Sequence, residues 1–357
     1  MAIKNSPIKT NYKLEVNRVI DDFLKENIAK ASLIDKHYES LWKELYRLMS
    51  AGGKRMRSQM TIMVYEAFGG TNVENILPIA AAQELLHLSM LIHDDIIDRD
   101  TTRYGVDNIT GTYEKLYANQ VLNNDDLRHY AQSVALLAGD LLISATYQLI
   151  GSTPISARKI LAVQRLFGKS IFEVAGGELL DTESVFRPIG EIDAKTIAYY
   201  KTASYTFIGP LMTGALLANA PINDQLQLSL FAEYLGIAYQ IKDDLIGVFG
   251  DEKNTGKSST SDLREGKKTF LIEQFLILGN KKQIEQFYAY FGVHSMTIPQ
   301  VQILKDLLVE SYAKKAVENA IDVYVEKAKE TLVNINLTQE HQDVLDNLIT
   351  MAILRDK

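Results

Sequence analysis

Three features of the chain predict an all-α fold. Apolar residues recur at helical spacing, strand-like alternation bounded by turn residues is hard to find, and helix breakers separate segments of roughly 15–25 residues, the length of bundle helices. The elements follow in order. Residues 1–12 lack a periodic pattern and read as a flexible N-terminal segment. Val16, Ile20, Phe23 and Leu24 then trace the i, i+4, i+7, i+8 stripe of an amphipathic helix. Gly69-Gly70-Thr71-Asn72 interrupts the pattern, and a long apolar helix runs through Ala81–Asp98. Asn119–Arg128 is polar and reads as a surface connection. Pro154, Pro188 and Pro221, among only 7 prolines, mark further helix ends. Gly250–Lys268 is a long polar loop with Lys253, Lys257, Arg264, Lys267 and Lys268, and loops of this kind often serve as active-site lids. Helical stripes persist to Leu345, Leu348 and Ile349. No stretch has the composition of a linker, so residues 1–357 are expected to form one domain.

Composition excludes several classes. With 45 acidic against 38 basic residues, a net charge of −7 argues against a nucleic-acid surface. The absence of cysteine removes disulfides, thiolate metal sites and cysteine nucleophiles. No apolar run is expected to reach the ~20 residues of a membrane span, since Asp140 interrupts the stretch near Ser133–Ser144. The opening MAIKNSPIKTNYK lacks the apolar core of a signal peptide. A soluble cytoplasmic protein is expected.

The chemistry is concentrated in a few motifs. AAQELLHLSMLIHDDIID, Ala81–Asp98, puts Asp94 and Asp98 ~40° apart on an ideal helix, with His87 within ~20° of Asp94. Two carboxylates and an imidazole on one face suit a bound cation. Magnesium fits because it takes carboxylate oxygens singly and keeps other positions for water and substrate phosphates. A second pair, Asp243-Asp244, follows Tyr239-Gln240-Ile241-Lys242 in another apolar stretch. The two clusters could face one another across a bundle, where carboxylates that close would repel without cations. Gly52-Gly53-Lys54-Arg55-Met56-Arg57 offers glycines and cations to phosphate oxygens, and Arg103, Lys201 and the lid lysines add more. Neither the P-loop pattern nor GxGxxG occurs, so nucleotide-binding folds lose support. Singly, an aspartate pair is most often a cap or solvated turn and a lone cation a surface charge. Together they describe an anionic substrate held through metal and through Lys and Arg.

Taken in order and spacing, these motifs resemble those of the trans-polyprenyl diphosphate synthases, the geranylgeranyl type in particular. The match runs through GGKRMR, HLSMLIHDDIIDRDTTR, AGD at Ala138–Asp140, GGELLD at Gly176–Asp181, Lys201-Thr202, YQIKDD and TGKSSTSDLREGKKT to Arg355. The resemblance implies an isoprenoid synthase fold with a central apolar cavity, a homodimer, and the joining of an allylic diphosphate (dimethylallyl, geranyl or farnesyl) to isopentenyl diphosphate. It implies that Asp94 and Asp98 hold two Mg²⁺ and Asp243 a third, with Asp244 supporting from the outer shell. Arg103, Lys201 and Lys257 would grip the allylic diphosphate, with Lys267 nearby. Lys54, Arg57 and His87 would bind the diphosphate of isopentenyl diphosphate, and Thr202 and Gln240 would turn oxygen dipoles toward the allylic cation. The chemistry agrees: a departing diphosphate needs concentrated positive charge, and the carbocation left behind needs an apolar, dry surrounding. In the family the departing diphosphate accepts the final proton, so no strong protein base is required.

Three positions depart from the family pattern. Tyr104 stands where a second arginine follows the first aspartate motif, Gly247 where the second motif has its last aspartate, and Glu178 where GQxxD has glutamine. Two other readings compete. A class I terpene cyclase also ionises a diphosphate, but its (N/D)DxxSxxxE motif is only grazed by Asp243, Gly247 and Asp251. A non-catalytic partner subunit of a heteromeric synthase could keep the fold while losing aspartates or cations, which this chain retains.

Product length is expected to depend on the helix before Asp94. By resemblance, the position five residues before the first aspartate carries an aromatic floor in short-chain members. Here it is Ser89, next to the adaptable Met90. Leu86, or Tyr147 from a facing helix, would end the cavity deeper down. Geranylgeranyl diphosphate or a longer chain is expected. Ser89→Phe should shorten the product, read by chromatography against chain-length standards; an unchanged product distribution would place the floor elsewhere.

Overall fold

The computed structural model describes residues 11–188, 191, 193–250 and 261–353. They gather into two compact units, one of the described residues up to 164 together with 216–218, the other of those in 165–215 and from 219 on.

The first unit begins with α1 (Lys13–Ser32), α2 (Lys36–Ala51) and α3 (Met56–Ala67). A 3₁₀ turn (Val73–Ile76) leads into α4 (Leu77–Ile97), which has Pro78 in its first turn, where proline's missing N–H is harmless. Then come a two-residue hairpin, β1 (Thr102–Arg103) against β2 (Val106–Asp107), α5 (Ile109–Tyr117) and α6 (Asn124–Gly151). Side-chain caps set the starts of several helices. Asp35 accepts from His37 N at 2.7 Å, Asn108 from Gly111 N at 2.9 Å and Asn123 from Asp125 N at 2.8 Å. The core helix is α4. Ile79, Ala80, Ala81, Ala82, Leu85, Leu86, Leu88 and Ile92 are all buried, the apolar-all-round pattern of a helix packed on several sides. It packs on α1, α3 and α6. Gly139 of α6 makes room for His93, whose Nε2 would lie 2.2 Å from a Cβ at that position.

The second unit takes most of α7 (Ala157–Ser184), then α8 (Ala194–Ile197), an eleven-residue π-helix (Ala198–Ile208), α9 (Gly209–Ala218) and α10 (Ile222–Phe249). After the 251–260 gap in the described residues come α11 (Ser261–Glu265), α12 (Phe270–Leu278), α13 (Lys281–Tyr288), α14 (Ile298–Glu310), α15 (Ala313–Val333) and α16 (Gln339–Ile353). Here α10 is the core helix: Leu228, Phe231, Ala232, Leu235, Ala238, Ile241, Leu245 and Val248 are buried. It packs on the π-helix, α15 and α16. Contact with the π-helix is close because position 236 is glycine; a Cβ there would lie 2.5 Å from Ala203 Cα.

Several expectations are corrected. Tyr12 does not belong to a loose tail: it is buried, and its hydroxyl donates to Glu66 Oε1. Residues 1–10 lie outside the described part. The hairpin was invisible to a search for alternation because it is a turn with one pair on each side, built by Tyr104 and Gly105 at φ 56° and 75°. Asn124–Arg128 is the first turn of α6 rather than connection, where Asp125 and Asp126 favour the positive helix end. The segments Val73–Ile97 and Asn124–Gly151 are long and apolar enough to cross a membrane, contrary to the count of uninterrupted runs, since a helix tolerates an isolated polar residue such as Asp140. The apolar window of the first is 72% buried within the fold and that of the second 44%. The polar stretch 250–268 is a loop only in part, because α11 occupies Ser261–Glu265.

Gly236→Ala should lower unfolding stability by ~1–3 kcal/mol, since backbone and Ala203 must move apart to admit a methyl group. Denaturant titration by circular dichroism checks this.

Candidate functional site

In the first unit the aspartate motif occupies the C-terminal end of α4. The last turn holds no basic residue, and the Asp98 N–H closes it by donating to Asp94 O at 2.8 Å. Carboxylates there face the negative end of the helix dipole and need cations nearby. Arg103 of β1 supplies one. Its Nε donates to Asp95 Oδ1 at 2.8 Å, and its Nη2 donates to Asp95 and, at 3.1 Å, to Asp94 Oδ2. Asp95, rotated ~100° from Asp94, turns inward and is 2% exposed. Burial pushes its carboxyl up to about 6, against the pull of Arg103. Sequence reading assigned Asp95 no role, although adjacent aspartates on a helix cannot share a face. Arg103 is accordingly a structural counter-ion as well as a candidate phosphate ligand.

Of the three cations after Gly52-Gly53, one is committed to the fold. Arg55 sits at φ 54° before α3, and its guanidinium is buried. It donates to Asn17 Oδ1 at 2.8 Å, Gly52 O at 3.0 Å and Met49 O at 2.7 Å. Lys54 is exposed, and Arg57 is buried in the first turn of α3. His87 lies half-buried on α4. Burial, reinforced by the charges of Arg57, Arg103 and Arg55, holds its imidazole well below the ordinary range. It is therefore neutral at pH 7 and can offer an N–H to an anion but no charge. Tyr104 fills the place of the family's second arginine with its ring against Gly52, where a Cβ would lie 2.8 Å from Tyr104 Cγ. Burial raises its hydroxyl, while Arg103, Arg57 and Arg55 act in the opposite sense. Of the expected chain-length residues, Ser89 is fully buried with a hydroxyl that has no hydrogen-bond partner, Leu86 is buried, and Met90 and Tyr147 are half-buried.

The second unit assembles the other half of the predicted residues around the end of α10. Its last turn also lacks a basic residue. Asp243 is exposed. Asp244 Oδ1 accepts from Gln240 Nε2 at 2.6 Å, which turns Gln240 Oε1 toward the Thr202 hydroxyl, and that hydroxyl donates to it. Burial lifts the Asp244 carboxyl well above its ordinary range; Asp262, Asp243 and Asp181 push the same way, and the Gln240 hydrogen bond opposes them. Lys201 Nζ lies 2.9 Å from Glu178 Oε2 and 2.7 Å from Asp181 Oδ2. Lys267 Nζ is 3.2 Å from Glu265 Oε2, and its charge lowers the Asp262 carboxyl that burial raises. Lys257 lies outside the described residues. Lys201 and Thr202 belong to the π-helix, a rare geometry that recurs at functional sites.

Asp262 was not singled out from the sequence. Its Oδ2 would lie 2.8 Å from a Cβ at position 247, so the glycine that replaces the family's last aspartate leaves room for another carboxylate. The nearest sequence signal is the missing side chain at 247. Among the described residues no three His, Asp or Glu side chains form a metal cage. The donor set nonetheless fits Mg²⁺. Asp94 and Asp98 offer hard carboxylate oxygens at the negative end of α4 and Asp243 an exposed one on α10, and the Asp181, Asp243, Asp244 and Asp262 group holds mutually repelling charge that a cation relieves.

Comparison with known proteins identifies the fold and the family. The helical fold is that of the isoprenoid synthases. A crystal structure of geranylgeranyl pyrophosphate synthase from Corynebacterium glutamicum, complexed with isoprenyl diphosphate and magnesium, superposes with TM-score 0.88 at 28% identity, covering 95% of this chain and 97% of that one. The geranylgeranyl diphosphate synthase of Sulfolobus acidocaldarius is 31% identical over 326 residues, 87% of this chain and 90% of that protein. The geranylfarnesyl diphosphate synthase of Aeropyrum pernix is 28% identical over 87% and 92% of the two chains. The polyprenyl synthetase family profile matches residues 39–307. The chain belongs to the polyprenyl synthetase family and is a prenyltransferase.

Tyr104→Arg adds a charge beside Arg55, Arg57 and Arg103. It should tighten the binding of inorganic pyrophosphate about tenfold by calorimetry, the value of one charge-assisted hydrogen bond. Unchanged or weaker binding would show that the existing cations already satisfy this seat.

Proposed function

We propose that the whole chain, residues 1–357, works as one polyprenyl synthase. It condenses dimethylallyl, geranyl or farnesyl diphosphate with isopentenyl diphosphate to give an all-trans product, geranylgeranyl diphosphate or longer. The observation that carries this reading is the cluster of carboxylates on each core helix with Lys or Arg close by, Arg103 beside Asp94 and Asp95 on α4, and Lys201 beside Asp181, which faces Asp244 of α10. That the family match, 39–307, runs through both compact units supports a single functional domain.

Asp94 and Asp98 would hold two Mg²⁺ and Asp243 a third, with Asp244 fixed by Gln240 as an outer-shell acceptor. Bound Mg²⁺ supplies Lewis-acid stabilisation of the departing diphosphate. The chain's own side chains do the rest. Arg103, Lys201, Lys257 and Lys267 would bind the allylic diphosphate, and Lys54, Arg57 and neutral His87 the diphosphate of isopentenyl diphosphate. Thr202 donates its hydroxyl hydrogen bond to Gln240 Oε1, leaving its own oxygen lone pairs to face a developing allylic cation. Small, buried Ser89 is compatible with a C20 product, the length named for the Sulfolobus acidocaldarius relative, or with the longer one named for that of Aeropyrum pernix. We also propose a cytoplasmic homodimer. Leu136 and Leu137, 52% and 59% exposed on α6, are large apolar side chains that a second copy would cover.

Incubation with labelled isopentenyl diphosphate, each allylic primer and a Mg²⁺ titration separates elongation from cyclisation and from inactivity. Asp94→Ala and Asp98→Ala should each cut turnover by about 10²–10³-fold or more with helicity retained, as expected for loss of a ligand that stabilises the leaving group. Near-wild-type turnover of Asp94→Ala would sink the metal assignment.

A further inference from the structure

Lys201 is held unusually for a lysine meant to meet an anion. One ammonium faces two carboxylates, Glu178 at 2.9 Å and Asp181 at 2.7 Å, and all three side chains are 20% exposed or less. Glu178 and Asp181 are three residues apart on α7 and so share a face. The approach is fixed by the backbone. A Cβ at Gly177 would lie 2.2 Å from Lys201 N, so α7 and the π-helix touch at the residue preceding Glu178. An ammonium has three donors, and these two contacts engage two of them. Asp181 alone would orient Lys201. A second full negative charge does something more: it competes with any incoming phosphate oxygen for the same ammonium.

We propose that Glu178 is a positioning residue that sets how tightly Lys201 holds a diphosphate, by retaining the ammonium on α7 until the ligand displaces it. This rests on the assignment of Lys201 to diphosphate binding. Glu178→Gln keeps the size and a carbonyl acceptor but removes the competing charge. Lys201 then stays oriented by Asp181 and becomes more available to the anion.

The test compares wild type with Glu178→Gln, and Lys201→Met with Lys201→Met/Glu178→Gln, by calorimetry with inorganic pyrophosphate and Mg²⁺. Glu178→Gln should lower the pyrophosphate Kd roughly two- to fivefold, the range of a partly screened ion pair. It should leave the thermal midpoint within a degree or two and have no effect in the Lys201→Met background. Steady-state assays should show a matching fall in KM for farnesyl diphosphate with little change for isopentenyl diphosphate. Glu178→Ala should move Kd in the same direction, guarding against an effect of the amide itself. An unchanged or raised Kd in a folded Glu178→Gln overturns the proposal, as does equal tightening in the Lys201→Met background. If wild type elongates no primer, the functional reading fails, while the pyrophosphate comparison still decides the role of Glu178.

Discussion

Carboxylates at the C-terminal end of a buried helix are in the wrong place by the helix's own electrostatics. The peptide dipoles already concentrate negative charge there, and each added anion costs a further ~0.3–1 kcal/mol where a cation would contribute as much. α4 accepts this cost: it ends in Asp94, Asp95 and Asp98 with no basic residue in its last turn. In α10 the crowding is of charge on charge instead, since Asp243 and Asp244 lie more than a turn before Phe249 and face further carboxylates. The protein compensates only in part. Arg103 answers Asp95 and Asp94, whereas Asp244 is surrounded by further carboxylates and bonded to a neutral amide. The remaining imbalance is of the kind that a divalent cation relieves.

That electrostatic cost is sustained by dense packing. α6 brings Gly139 against His93 of α4, and α10 places Gly236 against Ala203 of the π-helix. Small residues let the axes approach and leave little freedom at the helix ends. Arg55 plays a related part in the first unit: its guanidinium ties the end of α2, the start of α3 and Asn17 of α1 together. The exposed and half-buried cations around it can then answer to a ligand.

The helical fold and the principal motif positions could be read from the sequence because they depend on local pattern. Periodicity located the helices, Pro154, Pro188 and Pro221 fell at their ends, and Asp94, Asp98, Asp243 and Lys201 stood out by spacing and company. What could not be read depends on tertiary choice. Nothing local says that Arg55, rather than Lys54 or Arg57, turns inward, or that Asp95 takes Arg103 as its partner. The π-helix was hidden as well, and the close approaches of Lys201 to Gly177 and of Ala203 to Gly236 that pack it are tertiary contacts. Asp262 is distant in sequence from Gly247, so its approach to that glycine was equally hidden.

The contact between Tyr104 and Gly52 has a consequence for sequence drift. Tyr104 is held in a left-handed conformation that disfavours a large side chain, and its ring covers Gly52 so closely that a methyl group there would collide with it. A side chain at 52 and an aromatic ring at 104 therefore exclude one another. While Tyr104 keeps this position, a side chain at 52 must displace its ring. The two positions, far apart in the chain, are thus sterically coupled, and the cost of a change at one depends on the residue at the other.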